Sequence, residues 1–461
     1  MLFTLILLLA TMLATAVVLS ALIPARVAMW VGSAVNVLQL HSVSILGIYP
    51  SLALLSWLSL WRAPFGSALW RWPWMQALLA LVAVQAASLV WSPSPLLGVR
   101  YLIYLLPLPF VAHAMYQLTR EHPQLAERCL NVLIIGSALE AALVVVFRLL
   151  PSVEMVFLNN RLGQLVVSPN TLQALFDSHN NNVLDPAKAG GVFVNANVAA
   201  AYLGVFSVAA WYVSRITGSA LLRAVAVFDW LAVFLTGSKA GLLCALAIPA
   251  CLALFGMMST KRINPMLIAG SAIGAVVVAA VFALPMGNLL VEDYQRDTLA
   301  TLGGREEMWR AGLTLLQQRP FTGLGFGGWE QRFQVYGFAS GVAVTAPPHN
   351  SFINLWLQSG VFGVLAGVAV IIAVYAAVVR ALRATEVSVH HLAFATAGAF
   401  SWCFLQGMGE NFGLIGEIHM MPLLGALLGH LCSRCDGAVE VHGHNHASLR
   451  GAPASPAVQA I

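Results

Sequence analysis

Long apolar blocks separated by short polar punctuation run the length of the chain, and a block of about 20 apolar residues is enough to cross a bilayer as a helix. Such blocks occur at residues 2–22, 43–61, 74–91, 97–118, 128–149, 192–212, 220–237, 239–258, 264–284, 350–380, 389–410 and 416–433. The pattern predicts an all-α, polytopic membrane protein with about twelve transmembrane helices. Residues 27–40 are apolar but short, so they are expected to lie in the interface or re-enter it. No positive segment precedes residues 2–22, which favours a retained first span over a cleaved signal peptide. No internal repeat is visible.

Composition agrees with this reading. Of 461 residues, 59% are apolar and 9% charged, whereas soluble domains carry about a quarter charged residues. A net charge of +5 without a basic run makes nucleic acid an unsuitable partner. The six cysteines fall mostly within apolar segments, which excludes a disulfide scaffold. The basic residues set the orientation, because Lys and Arg concentrate in cytoplasmic loops. Alternate connections hold Arg62, Arg71, Arg120, Arg128, Arg215, Arg223, Lys261, Arg262, Arg380 and Arg383, and the tail adds Arg434 and Arg450. The opposite short loops hold Arg26, Arg100 and Lys239. Both termini are therefore expected in the cytoplasm. Residues 1–433 read as one integral membrane domain, with long outer loops at 150–191 and 285–349. Residues 434–461 read as a cytoplasmic, disordered tail. Trp70, Trp72 and Trp74 are expected to form an interfacial belt.

Within the second outer loop, residues 305–318 read as a surface helix. Trp309, Leu313 and Leu316 give it one apolar face, Glu306 and Glu307 suit its first turn, and Pro320 ends it. His349 follows Pro347 and Pro348 at the junction with the next span. There it meets the positive end of a helix dipole, which favours the uncharged ring that a general base needs; an ordinary capping or interfacial histidine fits the position equally. Arg100, Lys239, Arg305 and Arg161 are outer-side cations near membrane level. They suit either headgroup snorkelling or a clamp on an anion, where each cation about 4 Å from a phosphate charge is worth roughly 4 kcal/mol at an effective dielectric near 20. Asn195 and Asn197 enter a span from the first long loop and could cap it or bind sugar oxygens.

Other signals are weaker. The GLGFGG run at 323–328 has the glycine spacing of a dinucleotide loop, but no strand–helix unit surrounds it; a flexible loop returning the chain to the membrane accounts for it. Cys432 and Cys435, with His442, His444 and His446, have metal-ligand spacing in a tail expected to be loose. No Asp-x-Asp pair occurs, which points to chemistry without a metal or other cofactor. Glu140 and Asp229 lie within apolar blocks, where an ionisable group is costly, and they keep open a transporter for an anion or a lipid-linked sugar. Glu410 and Glu417 flank a short outer turn, and either could meet a cation or orient His349.

Taken in order, GGVFVNANVAA, TGSKAG, GGREEMWRAGLTLLQQRPFTGLGFGGW and PPHNSFINLWLQSG resemble the O-antigen ligase and polymerase superfamily. The resemblance covers residues 190–420 in detail. It implies a GT-C-like glycosyltransferase of a bacterial inner membrane, acting at the periplasmic face without a metal. The implied donor is a glycan on undecaprenyl diphosphate, and the implied acceptor the lipid A core. It further implies that His349 is the catalytic base and that Arg305 binds the diphosphate; Lys239, which stands in the family's turn, and the other outer-side cations Arg161 and Arg100 are candidate phosphate ligands beside it. Asn195, Asn197, Arg310, Asn350 and Glu410 are candidate substrate contacts. Lys239 stands where the family often has Arg, which keeps the charge but replaces a bidentate fork with a point charge. Gln358 stands where many members have Glu, so the role of that acid does not carry over. A polymerase or a protein O-oligosaccharyltransferase shares the same donor chemistry.

Overall fold

The computed structural model describes residues 68–167, 187–260, 305–306, 308–340, 348–410 and 413–450, together with Pro24, Val27 and Trp30. The expected spans 2–22, 43–61 and 264–284, and most of the 27–40 piece, lie outside the described residues. Among those described, every regular element is a helix. In chain order these are α1 (Pro73–Ser88), α2 (Pro95–Leu105), α3 (Pro107–Glu121), α4 (Pro123–Ile135), α5 (Ser137–Leu149), α6 (Pro151–Asn159) and α7 (Arg161–Val166). They continue with α8 (Ala196–Thr217), α9 (Ala220–Leu235), α10 (Lys239–Thr260), α11 (308–316, with 305–306 also helical), α12 (Trp329–Ser340), α13 (Ser351–Leu382), α14 (Val387–Gly407) and α15 (Met421–Arg450).

Six described helical stretches are long and apolar enough to cross a membrane: Pro73–Trp91, Pro95–Glu121, Pro123–Leu149, Ala196–Thr217, Lys239–Gly256 and Ser351–Leu382. Two of them are helix pairs joined through a single residue in helical backbone, α2 to α3 at Leu106 and α4 to α5 at Gly136. Proline at the first position of α3 removes a backbone donor there.

The core forms where α15 packs along α3, α8 between α9 and α14, and α13 along α1. Gly425 and Gly429 let α15 approach α3 backbone to backbone. A Cβ at either would fall within 2.5 Å of the Leu108 or Ala112 carbonyl, the small-xxx-small contact of membrane helices. The tryptophans at the start of α1 belong to this core instead of to a lipid-facing belt. Trp72 and Trp74 are 4% and 1% exposed. Trp72 Nε1 donates to Asp436 at 3.1 Å under the Arg380 guanidinium, and Trp74 Nε1 donates to Cys432 Sγ at 3.3 Å. Cys432 and Cys435 are accordingly buried packing residues. α15 itself runs through Arg450.

α13 is not one uninterrupted span. Gly360 breaks it with φ 69° and ψ −165°, and the freed backbone groups are taken up by residues 321–324. The Val361 N–H donates to the Phe321 carbonyl at 3.2 Å, and the Leu324 N–H donates to the Leu357 carbonyl at 2.7 Å. Broken helices are tolerated at membrane depth where protein satisfies the backbone in this way. The glycine run 323–328 is therefore a wedge, not a flexible return loop. Gly323, Gly325 and Gly327 all have positive φ. The Phe326 N–H donates to Ser88 Oγ at 3.1 Å and the Gly327 N–H to Gln358 Oε1 at 2.5 Å.

The buried face of α11 also differs from the expected one. Ala311 and Leu316, with Met308 and Leu315, pack on Leu324, Trp329, Phe333, Ile353 and Leu357, whereas Leu313 is 47% exposed. The helix is seated on α12 and the first half of α13.

Candidate functional site

Four helix ends meet at one end of the bundle: the N-termini of α8, α10 and α13 and the C-terminus of α14. Polar side chains in the sequence make these ends. Asn195 Oδ1 caps α8 by accepting the Asn197 and Val198 N–H groups at 2.9 and 3.3 Å. Ser238 Oγ accepts the Gly241 N–H at 3.1 Å in the first turn of α10. Asn350 Oδ1 caps α13 through the Phe352 and Ile353 N–H groups at 3.0 and 3.1 Å. Three helix N-termini together present the positive ends of their dipoles, a setting that favours an anion.

Hydrogen bonds stitch the ends to one another. Ser238 Oγ donates to Asn197 Oδ1 at 2.6 Å, joining α10 to α8. Gln406, fully buried near the end of α14, donates to the Asn197 carbonyl at 2.6 Å and accepts from Trp402 Nε1 at 2.8 Å. Ser351 Oγ donates to the Gly407 carbonyl at 2.8 Å, and Asn350 Nδ2 to the Met408 carbonyl at 3.3 Å.

Glu410, just past α14, is the centre of this frame. Its Oε1 accepts from Asn197 Nδ2 at 2.8 Å and from the Arg305 guanidinium at 3.1 Å. Its Oε2 lies 3.7 Å from His349 Nδ1. The carboxylate is 6% exposed, while the Arg305 and His349 side chains are 20% and 22% exposed. Histidine, arginine and carboxylate thus form one half-buried cluster whose His349 and Arg305 side chains still reach solvent. Of the two acids flanking the outer turn, Glu410 meets the cation and faces the histidine, whereas Glu417 bonds to His419.

His349 is held in left-handed backbone, with φ 46°. A non-glycine residue there is strained by roughly 1–3 kcal/mol and persists only where its surroundings fix it. The fixing groups lie on both sides: Trp309 Nε1 donates to the Pro348 carbonyl at 2.6 Å, and Asn350 is tied into the α13 cap.

The remaining candidates are placed as follows. Lys239 opens α10 beside Ser238, on the same rim. Arg310 is 78% exposed and pairs with Glu306 one turn back at 2.6 Å, away from the pocket. Arg100 donates from Nε to the Tyr104 hydroxyl at 2.7 Å with its guanidinium over that ring, on the helix against which the glycine wedge rests. Arg161 opens the short α7, exposed and capped by Asn160. Ser238 and Gln406 were not singled out in the sequence, and Trp309 only as part of the apolar face of the 305–318 helix. Gln406 carried a signal, a polar side chain within an apolar helix.

Glu140 and Asp229 sit inside the bundle, 1% and 0% exposed. Glu140 accepts the Val192 N–H at 3.1 Å, and Asp229 accepts from Ser137. Among the described residues no group of three or more His, Cys, Asp or Glu side chains is arranged to hold a metal ion.

Residues 224–368 match the family model described as O-antigen ligase. That stretch contains Lys239, Arg305, Arg310, His349 and Asn350, whereas Arg100, Arg161, Asn195, Asn197 and Glu410 lie outside it. No curated protein matches the chain.

Proposed function

We propose that this chain, whose residues 224–368 match the O-antigen ligase family model, transfers a glycan from undecaprenyl diphosphate to a sugar hydroxyl of the lipid A core. The observation that carries the reading is the convergence of Arg305 and His349 on Glu410 at a rim of three helix N-termini. In this mechanism Arg305, with Lys239 on the same rim, holds the donor diphosphate. The acceptor oxygen attacks the anomeric carbon from the face opposite the diphosphate, which inverts the configuration. The bond between that carbon and the phosphate oxygen breaks, and the bonding pair leaves with the lipid diphosphate. His349 takes the proton of the acceptor hydroxyl. With Nδ1 turned towards Glu410, Nε2 is the nitrogen that receives it, and Glu410 stabilises the imidazolium that forms. The leaving diphosphate needs no general acid, because the cations and helix ends stabilise its developing charge. On this reading the rim faces the periplasm of an inner membrane and both termini are cytoplasmic.

The test is transfer by the purified full-length protein in detergent, from an undecaprenyl-diphosphate glycan to lipid A core, with a chelator present. Wild type should turn over, and His349→Ala should not while remaining folded. Arg305→Ala should lose donor binding more than Arg305→Lys. Wild-type-like transfer by His349→Ala removes that residue from the role. Transfer only to a second lipid-linked glycan would assign the polymerase reaction instead.

A further inference from the structure

Glu140 makes a single hydrogen bond among the described residues, and it goes to a turn that leads into the pocket. A carboxyl group deep in an apolar bundle is costly, yet this one is directed at backbone: Oε2 accepts the Val192 N–H at 3.1 Å. The contact is close. A Cβ on Gly191 would fall 2.0 Å from Glu140 Oε1, so only glycine lets the turn settle on the carboxyl.

The turn itself, residues 190–195, is strained. Gly191 and Val194 have φ of 53° and 57°, and a β-branched residue in left-handed backbone is a genuine outlier that surrounding contacts must impose. Those contacts are visible. Val194 is buried with Leu158 and Val167, the Ala189 N–H donates to the Thr236 carbonyl at 3.1 Å, and Glu140 holds Val192 from within. Directly after Val194 come Asn195, the cap of α8, and Asn197, whose amide joins Ser238 to Glu410.

We propose that Glu140 is a positioning residue: it fixes the 190–195 turn, and through it the Asn197 amide that holds Glu410 against Arg305 and His349. The inference rests on the reading of that pocket as the site of glycan transfer. Its test has two arms on the full-length protein in detergent, with Glu140→Leu, Glu140→Gln and Gly191→Ala compared. Gln keeps an oxygen for the Val192 N–H, Leu removes it, and Ala at 191 presses the same contact from the other side.

In the first arm, amide hydrogen exchange across residues 190–198 should quicken by about tenfold or more in Glu140→Leu and Gly191→Ala, the loss expected when one buried N–H is left without its acceptor. It should return close to wild type in Glu140→Gln. In the second arm, kcat for transfer should fall in parallel and recover in Glu140→Gln. Combining Glu140→Leu with Asn197→Ala should cost no more than the worse single change, because both act through one path. Unchanged exchange in Glu140→Leu overturns the proposal whatever reaction the protein catalyses; should that variant not fold, Gly191→Ala decides in its place. Altered exchange with unaltered kcat also overturns it. A wild type that transfers nothing counts against the assigned reaction, and the exchange arm still decides the role of Glu140.

Discussion

Glu410→Gln removes one charge from the pocket while keeping the side chain's shape. The amide oxygen can still accept from Asn197, but the pairing with Arg305 at 3.1 Å and the carboxylate 3.7 Å from His349 Nδ1 are gone. On the proposed mechanism His349 takes the acceptor proton and its ring becomes a cation, and it is then that the carboxylate matters. Opposite unit charges 3.7 Å apart attract by about 4.5 kcal/mol at an effective dielectric of about 20. Part of that is offset by solvent reaching the open rim. A surviving share of about 1.4–4 kcal/mol corresponds to a fall in kcat of about 10- to 1000-fold. The donor should not suffer in the same way. Arg305 loses its counter-charge and meets the diphosphate with its positive charge uncompensated, so donor KM should stay level or decrease. Initial rates at varied donor concentration, with thermal melts as a check on folding, separate the two effects. An unchanged kcat, or a loss confined to KM, refutes the assignment of Glu410 to the imidazolium.

Two further outcomes follow from the fold. Gly325→Ala should destabilise by more than about 2 kcal/mol, because its φ is 92° and a Cβ there would lie 2.4 Å from the Ser92 Cα, which is backbone and cannot yield; a melting temperature equal to wild type would show that the glycine wedge is not seated against that turn. Burial pushes the Glu154 carboxyl, on α6 outside the spans, up to about 7, so its contribution to stability is fully present below its unfolded value and is lost as pH rises through about 7. Glu154→Gln should flatten the dependence of melting temperature between about pH 5 and pH 8 and be the more stable form above neutrality; a slope like that of wild type would count against a buried carboxyl there.

The helices were legible because their apolar runs are long, and His349 and Arg305 drew notice because each sits in a short motif at a helix start. What sequence could not supply was inside against outside. Trp72 and Trp74 look like a membrane-edge belt in an apolar sequence, yet their indole N–H groups find Asp436 and Cys432 more than 350 residues away. A helix apolar on most sides gives no stripe by which to tell lipid from protein. The same ambiguity misassigned the face of α11, where Leu313 and Leu316 both fit a helical spacing but only Leu316 meets α13. Glu410 and Glu417 were equivalent in sequence, being seven residues apart in one turn. Only the placement of Arg305, 105 residues earlier in the chain, distinguishes them. The glycine run read as freedom because glycine permits it, but here its positive φ angles serve close packing.

The break at Gly360 and the strain at His349 belong to one construction. Between them lies a short helical strut, residues 351–359, fixed at both ends: by the Asn350 cap at the start, and by the Phe321 and Leu324 backbone bonds at the break. Arg305 arrives on α11, whose buried face rests on Ile353 and Leu357 of that strut. Glu410 follows α14, whose last carbonyls accept from Ser351 and Asn350 at its start. Cation, carboxylate and histidine come from three separate elements, yet each takes its position from these nine residues. A catalytic geometry must be held to within about half an ångström, and long membrane helices that tilt and bend could not meet that tolerance through their distant ends. Referring all three groups to one stub of helix, detached from the rest of its span by a glycine, meets it locally.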